Sequence, residues 1–134
     1  MIPKPEKPID WKKKANDSLS KLIRARGICE LHQKIAEKRL ISPCVCSGVL
    51  QACHKLTRAN LSTFLDERNV FCGCSGSNAW SHFNQLQWDS LWRLLWSEDM
   101  EYLDAMKHRK VKISNWTYKV MSEEFEKKLA DLKT

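Results

Sequence analysis

The 134-residue chain predicts one α+β domain, mostly helical, with a small strand pair in its middle. Two observations carry that prediction. Apolar residues recur at helical spacing in several segments, most clearly Leu86, Trp88, Leu91, Trp92, Leu95 and Trp96. Between residues 28 and 78, Pro, Ser and Gly break the chain into short pieces, and only "VLQACHKL" alternates as a strand does. An apolar fraction of 43% against 29% charged fits a folded chain rather than a disordered one.

The elements follow in order. Residues 1–14, "MIPKPEKPIDWKKK", read as a flexible basic arm. A first helix is expected over about 16–26, capped by Asn16 or Asp17, with Leu19, Leu22 and Ile23 as its apolar stripe and Gly27 ending it. "CELHQKIAEKRL" can make a short helical piece, and "ISPCVCSGV" reads as loop. The strand carries His54 near its end, and residues 55–68 form a polar connection. A helix is expected from 77 or 78 through 84, then the Trp/Leu helix, whose stripe reads as core. Ser97 opens a helix over 98–108 with acidic residues in its first turn. "HRKVKI" is a basic connection to a last helix over 118–132, capped by Thr117 and carrying Tyr118, Met121, Phe125, Leu129 and Leu132 on one face.

Charge is unevenly spread. The net charge is +7, yet residues 1–58 hold 13 Lys/Arg against 5 Asp/Glu while residues 59–134 hold 10 against 11. A basic half suits a polyanion-facing surface, although the same charge on a solvated face would only aid solubility. No apolar run is long enough to span a membrane or to act as a secretory signal. Six cysteines, at 29, 44, 46, 53, 72 and 74, fall partly in tight pairs. Without a secretion signal that pattern fits metal ligation better than disulfides, with buried thiols as the plainer alternative.

One set of residues matches what metal-assisted phosphodiester hydrolysis requires. His54 closes the strand, and imidazole has an unperturbed pKa near ~6.5, suited to a base. Asn69 lies in the connection, where an amide can donate and accept at once and so fix a loop. Asn78 and His82 stand four apart where a helix is expected, so both project to one side and can grip one metal. Cys53 precedes His54 and faces the other side of the strand, so it could ligate only through a bend. Taken singly, each residue could equally be a turn residue, a cap or a core group.

The segments "GICELH", "LQACHKLTR", "DERNVFCGCSGSN" and "NAWSHFN", in that order, resemble an HNH (ββα-metal, His-Me finger, treble-clef-like) endonuclease of the small phage-encoded type. The likeness covers about residues 18–96, and "SKLIRARGICE" resembles the basic helix leading into the first zinc knuckle of such proteins. The resemblance implies a ββα-metal core with flanking helices and a structural zinc site. It implies His54 as general base and Asn69 as the residue that orients it. Asn78 and His82, with Cys53 where many members place Asp or His, would be the ligands of a catalytic divalent ion: Mg, Mn, Ni or Zn.

The zinc pattern departs from the family's paired CxxC knuckles. Ser77 stands three residues after Cys74 where a cysteine is expected, and a serine hydroxyl is a poor zinc ligand. Cys29 is followed at that spacing by His32, and an extra segment, about 33–47, brings Cys44 and Cys46. The expected ligand set is therefore Cys29, Cys44, Cys46 and Cys74, with His32 or Cys72 as substitutes. The remaining alternative is loss of the zinc, with the cysteines packed as thiols.

The organisation expected is a basic arm over 1–14, a nuclease core over 15–98 and a C-terminal helical extension over 99–134. The expected activity is metal-dependent cleavage or nicking of DNA in the cytoplasm of a bacterial host. Lys4 to Lys14, Lys21, Arg24, Arg26, Lys55 and Arg58 would contact phosphates. One such site cuts one strand, so double-strand cleavage would need a homodimer or two visits; a phage protein is the other expected partner. The competing expectation is an inactive zinc-stabilised module that binds DNA or protein.

Overall fold

The computed structural model describes residues 2–3 and 7–133. Lys4, in the expected basic arm, lies outside the described residues. The chain is α+β and mostly helical. Its elements are α1 (Trp11–Arg24), α2 (Glu30–Glu37), β1 (Leu50–His54), β2 (Val70–Cys74), α3 (Ser75–Phe83), α4 (Gln85–Leu95), α5 (Ser97–Lys107) and α6 (Asn115–Leu132).

The first helix starts earlier than its apolar stripe suggests. Asp10 caps it, its carboxylate accepting the Lys13 amide at 3.0 Å, so the lysines at 12–14 are helical rather than part of an arm. The helix closes at Arg24, and Gly27 follows with φ +78, a conformation that costs a glycine little. α6 likewise begins at Asn115 rather than 118, because Ser114 accepts the Thr117 amide at 3.2 Å and Thr117 lies inside the helix.

The two strands pair antiparallel, with His54 opposite Val70 and Leu50 opposite Cys74. Period-two alternation gives the ribbon two faces, and each meets a helical layer. Val70 and Cys72, with Leu50 and Ala52, join Leu19, Ile23, Phe64, Tyr118 and Phe125, so that α1 and α6 cover one side. Cys53 and Phe71 face Leu31, Ile35, Trp88, Trp92 and Trp96, so that α2 and α4 cover the other. The expected extension beyond residue 98 thus folds back into both cores, through Leu103 on α5 and through Tyr118 and Phe125 on α6.

The Trp/Leu stripe is core for most of its length. Phe71 packs between Trp88 and Trp96 at ring-centre distances of 5.3 and 5.0 Å. Leu86, at the start of the same stripe, instead points into solvent and is 85% exposed. No described helix is long and apolar enough to cross a membrane.

Candidate functional site

Two constellations flank the β2–α3 junction. The first is a group of soft ligands. Donor atoms of Cys29, His32, Cys46 and Cys74 all lie within 4.8 Å of one another. Tetrahedral zinc with Zn–S bonds near 2.3 Å separates its donors by roughly 3.8 Å, so this set fits a structural zinc ion. Cys29 Sγ and Cys74 Sγ lie 3.1 and 3.8 Å from His32 Nδ1. The other ring nitrogen of His32 donates to the Cys44 carbonyl at 3.0 Å, which fixes the tautomer and leaves Nδ1 as the lone-pair donor.

The backbone prepares two of the thiols. Burial disfavours the Cys29 thiolate, but hydrogen bonds from around His32, from Ser77 and from the Cys74 amide outweigh it, so its pKa is lowered. Cys74 is lowered in the same way: burial opposes, and the Ser77 hydroxyl and amide prevail. Desolvation and the neighbouring Cys74 and Cys29 thiols push Cys46, though exposed, up to about 11, so a bound metal would have to displace its proton. Ser77, fully buried, is a hydrogen-bond donor to the cluster, its Oγ 3.1 Å from Cys74 Sγ.

Cys46 arrives on the loop after α2. That loop lies on the first turn of α3: the Gly76 amide donates to the Ser47 carbonyl at 3.1 Å, and a Cβ at Gly76 would stand 2.6 Å from the Val45 carbonyl oxygen. The group therefore contains His32 where the sequence reading put Cys44. Cys44 lies beside it, its Sγ 3.8 Å from His32 Nε2, with a pKa raised by burial first. Cys72 is buried among α1 and α6 residues instead.

The second constellation lines a groove of about 850 Å3, walled by His54, Arg58, Asn60, Asn78, His82, Leu86, Trp88, Asp89 and Lys107 among others. His54 Nε2 donates to the Phe64 carbonyl at 3.0 Å, and its ring stacks on Phe64 at 5.7 Å. The tautomer is set by that bond, and Nδ1 keeps the lone pair. Burial, and next the Arg58 charge, lower its pKa to about 4, so the imidazole is neutral at pH 7.

Asn69 is completely buried behind this histidine. Its Oδ1 accepts the Leu56 amide at 2.8 Å, and its Nδ2 donates to the carbonyls of Leu56 and Thr63 at 3.2 and 3.1 Å. Leu56 lies two residues after His54, and Thr63 lies one before Phe64. One amide thus clamps both the chain leaving His54 and the chain supplying its acceptor.

Asn78 and His82 stand one turn apart on α3, and both line the groove. Asn78 Nδ2 donates to Gln51 Oε1 at 2.8 Å, so the acceptor of this amide is its Oδ1.

Two expected residues take other roles, although Lys55 also lines the groove. Cys53 is 1% exposed and packs with Phe71 and Trp88 on the far face of β1, and burial pushes its thiol up to about 12. Strand alternation turns it away from the groove, so it is core rather than ligand. Lys55 is 6% exposed, and its ammonium is committed internally. It donates to the Arg68 carbonyl at 2.7 Å, meets Asp99 at 3.3 Å and sits over the Trp96 ring at 4.7 Å. Burial lowers its pKa, with Asp99 opposing. Lys55 is thus a tie between the 55–69 connection and α5 rather than a phosphate contact.

Arg58 lines the groove, whereas Lys21, Arg24 and Arg26 project from or just after α1 and do not. Arg26 also pairs with Glu30 at 2.7 Å. Lys12 of α1 approaches the Phe64 ring at 5.5 Å, and Arg58 approaches the same ring at 6.0 Å. Two cations therefore stand one ring away from His54. Sequence reasoning missed Gln51, Phe64 and Lys107; none of them carries a local signal, because each matters through a residue distant in the chain.

No family model, curated protein or solved structure matches this chain.

Proposed function

We propose that the chain is a metal-dependent endonuclease or nickase of the HNH type acting on DNA. The observation that carries this reading is the arrangement of His54. It is a neutral imidazole whose Nε2–H is held by the Phe64 carbonyl, braced by a buried asparagine. Its free Nδ1 belongs to a residue lining a groove that also holds a cation and two metal-capable side chains. The order β1, β2, α3 and the soft-ligand cluster beside it support the same reading.

In that reading His54 Nδ1 takes a proton from the attacking water. The Phe64 carbonyl stabilises the imidazolium that results, through the Nε2–H bond. Asn69 keeps the two backbone segments in register while the charge moves. Arg58, with Lys12 nearby, attracts the DNA backbone, a salt-dependent contribution without sequence information. The Asn78 carbonyl oxygen and His82 would hold the divalent ion, which when bound neutralises charge developing on the phosphate. Cys29, His32, Cys46 and Cys74 would hold a structural zinc ion apart from the groove.

A second reading, a zinc-stabilised DNA-binding module without activity, is favoured by one observation. Neither metal-capable side chain in the groove, Asn78 or His82, is a carboxylate, and Asp89, which also lines it, already pairs with Arg93 at 3.0 Å. Plasmid nicking with Mg²⁺, Mn²⁺ or Ni²⁺, for the native protein and His54→Ala, separates the two. Cleavage lost in His54→Ala supports the enzyme. DNA binding without cleavage in any metal supports the module, and cleavage that survives His54→Ala removes the base assignment.

A further inference from the structure

Two large apolar side chains stand almost fully in water at the corner between α3 and α4. Phe83, the last residue of α3, is 88% exposed, and Leu86, in the first turn of α4, is 85% exposed. Single exposed apolar residues are ordinary. This pair differs in its position and in its support. Phe83 follows His82 directly, and both Leu86 and His82 line the groove that contains His54.

The corner is also stiff. Asn84 alone joins the two helices. Its amide and its side-chain Nδ2 both donate to the Trp80 carbonyl, at 2.9 and 3.0 Å, while its carbonyl accepts the Trp88 amide at 2.8 Å. Trp88 is in turn fixed in the core by its indole N–H on the Lys55 carbonyl at 3.1 Å. The apolar pair therefore projects from a braced corner rather than from a mobile loop.

We infer that Phe83 and Leu86 form a wedge that enters the stacked bases of duplex DNA beside the reacting phosphate. This rests on the nuclease reading above. The choice of DNA as occupant follows from charge: the groove that Leu86 lines carries the Arg58 guanidinium, and Lys12 stands by Phe64, while Lys107 is paired with Asp104 at 3.0 Å and the carboxylate there, Asp89, is paired with Arg93. A polyanion satisfies that charge, while its base stack offers the apolar slot that the pair needs. Opening a base step would widen and bend the duplex toward the groove, bringing a backbone phosphate within reach of His54. The substrate class that follows is DNA that is easily unstacked: flexible pyrimidine–purine steps, bulges and branch points.

The test uses the full chain and the double variant Phe83→Ser/Leu86→Ser, whose changes lie in solvent and should leave the melting curve in place. Duplexes carrying 2-aminopurine at several spaced positions report unstacking as a rise in fluorescence on binding, with Ca²⁺ replacing the catalytic ion. The native protein should give the rise, and the double variant should bind without it. Cleavage by the variant should fall about tenfold or more on a matched duplex, but less than about threefold on the same duplex with a central bulge, where unstacking is already achieved. DNA binding by the native protein with no fluorescence rise overturns the wedge and leaves the nuclease reading intact. Equal loss on both substrates overturns it too. Absence of any DNA binding overturns both. If the substitutions leave DNA behaviour unchanged but abolish self-association in sedimentation, the pair is a contact between two copies of the chain, and the wedge is rejected.

Discussion

Asn69 clamps the backbone on both sides of the groove histidine, and its replacement gives a quantitative test. In Asn69→Ala the Leu56 amide and the carbonyls of Leu56 and Thr63 lose their side-chain partners. A buried backbone group left unpaired costs about 1–3 kcal/mol. Water entering the vacated space offsets part of that, so the three together should cost about 3–5 kcal/mol. Unfolding entropy is about 2.1 cal/mol/K per residue, or roughly 0.28 kcal/mol/K for a chain of 134 residues. The melting temperature should therefore fall by about 11–18 °C, read by circular dichroism. Asn69→Asp keeps the shape but turns an acceptor toward two carbonyl oxygens. Its carboxyl should hold a proton in the folded state, with a raised pKa. The variant should then recover stability at acidic pH and lose it as pH rises through that value. A shift under about 3 °C for Asn69→Ala, or an Asn69→Asp variant whose loss does not vary with pH, would refute the clamp.

Three further outcomes follow. His54 has a folded pKa of about 4 against about 6.5 unfolded, so between those values the unfolded chain binds a proton that the folded chain does not. Stability should drop by about 3 kcal/mol as pH falls through that window, and NMR should show a neutral imidazole protonated on Nε2 at pH 7; titration near 6.5 would contradict it. Cys46→Ser should lose stoichiometric zinc while Cys44→Ser keeps it, measured by metal analysis after gel filtration, because His32 rather than Cys44 completes the group; the reverse pattern would restore the four-cysteine set. Gly76→Ala adds a helix-favouring residue worth about 1 kcal/mol. It also drives a methyl to 2.6 Å from the Val45 carbonyl, so the clash should win and zinc should pass faster to a chelator.

Local chemistry made much of this legible. The strand ending at His54 was readable because "LQACH" alternates and the residues on either side break the pattern. The one-turn spacing of Asn78 and His82 needs only a helix to bring both into one groove. Caps were read less well. Asp10 and Ser114 outcompete the residues nearer the apolar stripes, so α1 and α6 extend outward through polar segments that resemble arm and linker. Lys55 was unreadable for another reason. A lysine beside a basic loop looks like a phosphate contact until Asp99, 44 residues on, is seen to hold it. The choice between His32 and Cys44 likewise turns on how the loop after α2 closes over Gly76, a long-range contact that spacing does not encode.

The two constellations are mechanically linked through one turn of α3 but are braced separately. Cys74 caps that helix through its sulfur, which accepts the Ser77 amide at 3.3 Å. Ser77 points into the soft-ligand group, while Asn78, the next residue, turns into the groove. Successive residues on a helix diverge by about 100°, so one turn serves both sites, and whatever loosens the first shifts the second. His54 is anchored differently, by Phe64 and by the Asn69 clamp on the 55–69 connection, which is tied to α5 through Lys55, Arg68 and Asp99. Removing zinc should therefore disturb Asn78 and the divalent ion it would hold before it disturbs the base. Loss of the Asn69 clamp should do the opposite. The β2–α3 corner orients the metal-capable side chains, and the connection ahead of it orients the histidine. The proposed activity requires the short sheet to hold the two in register.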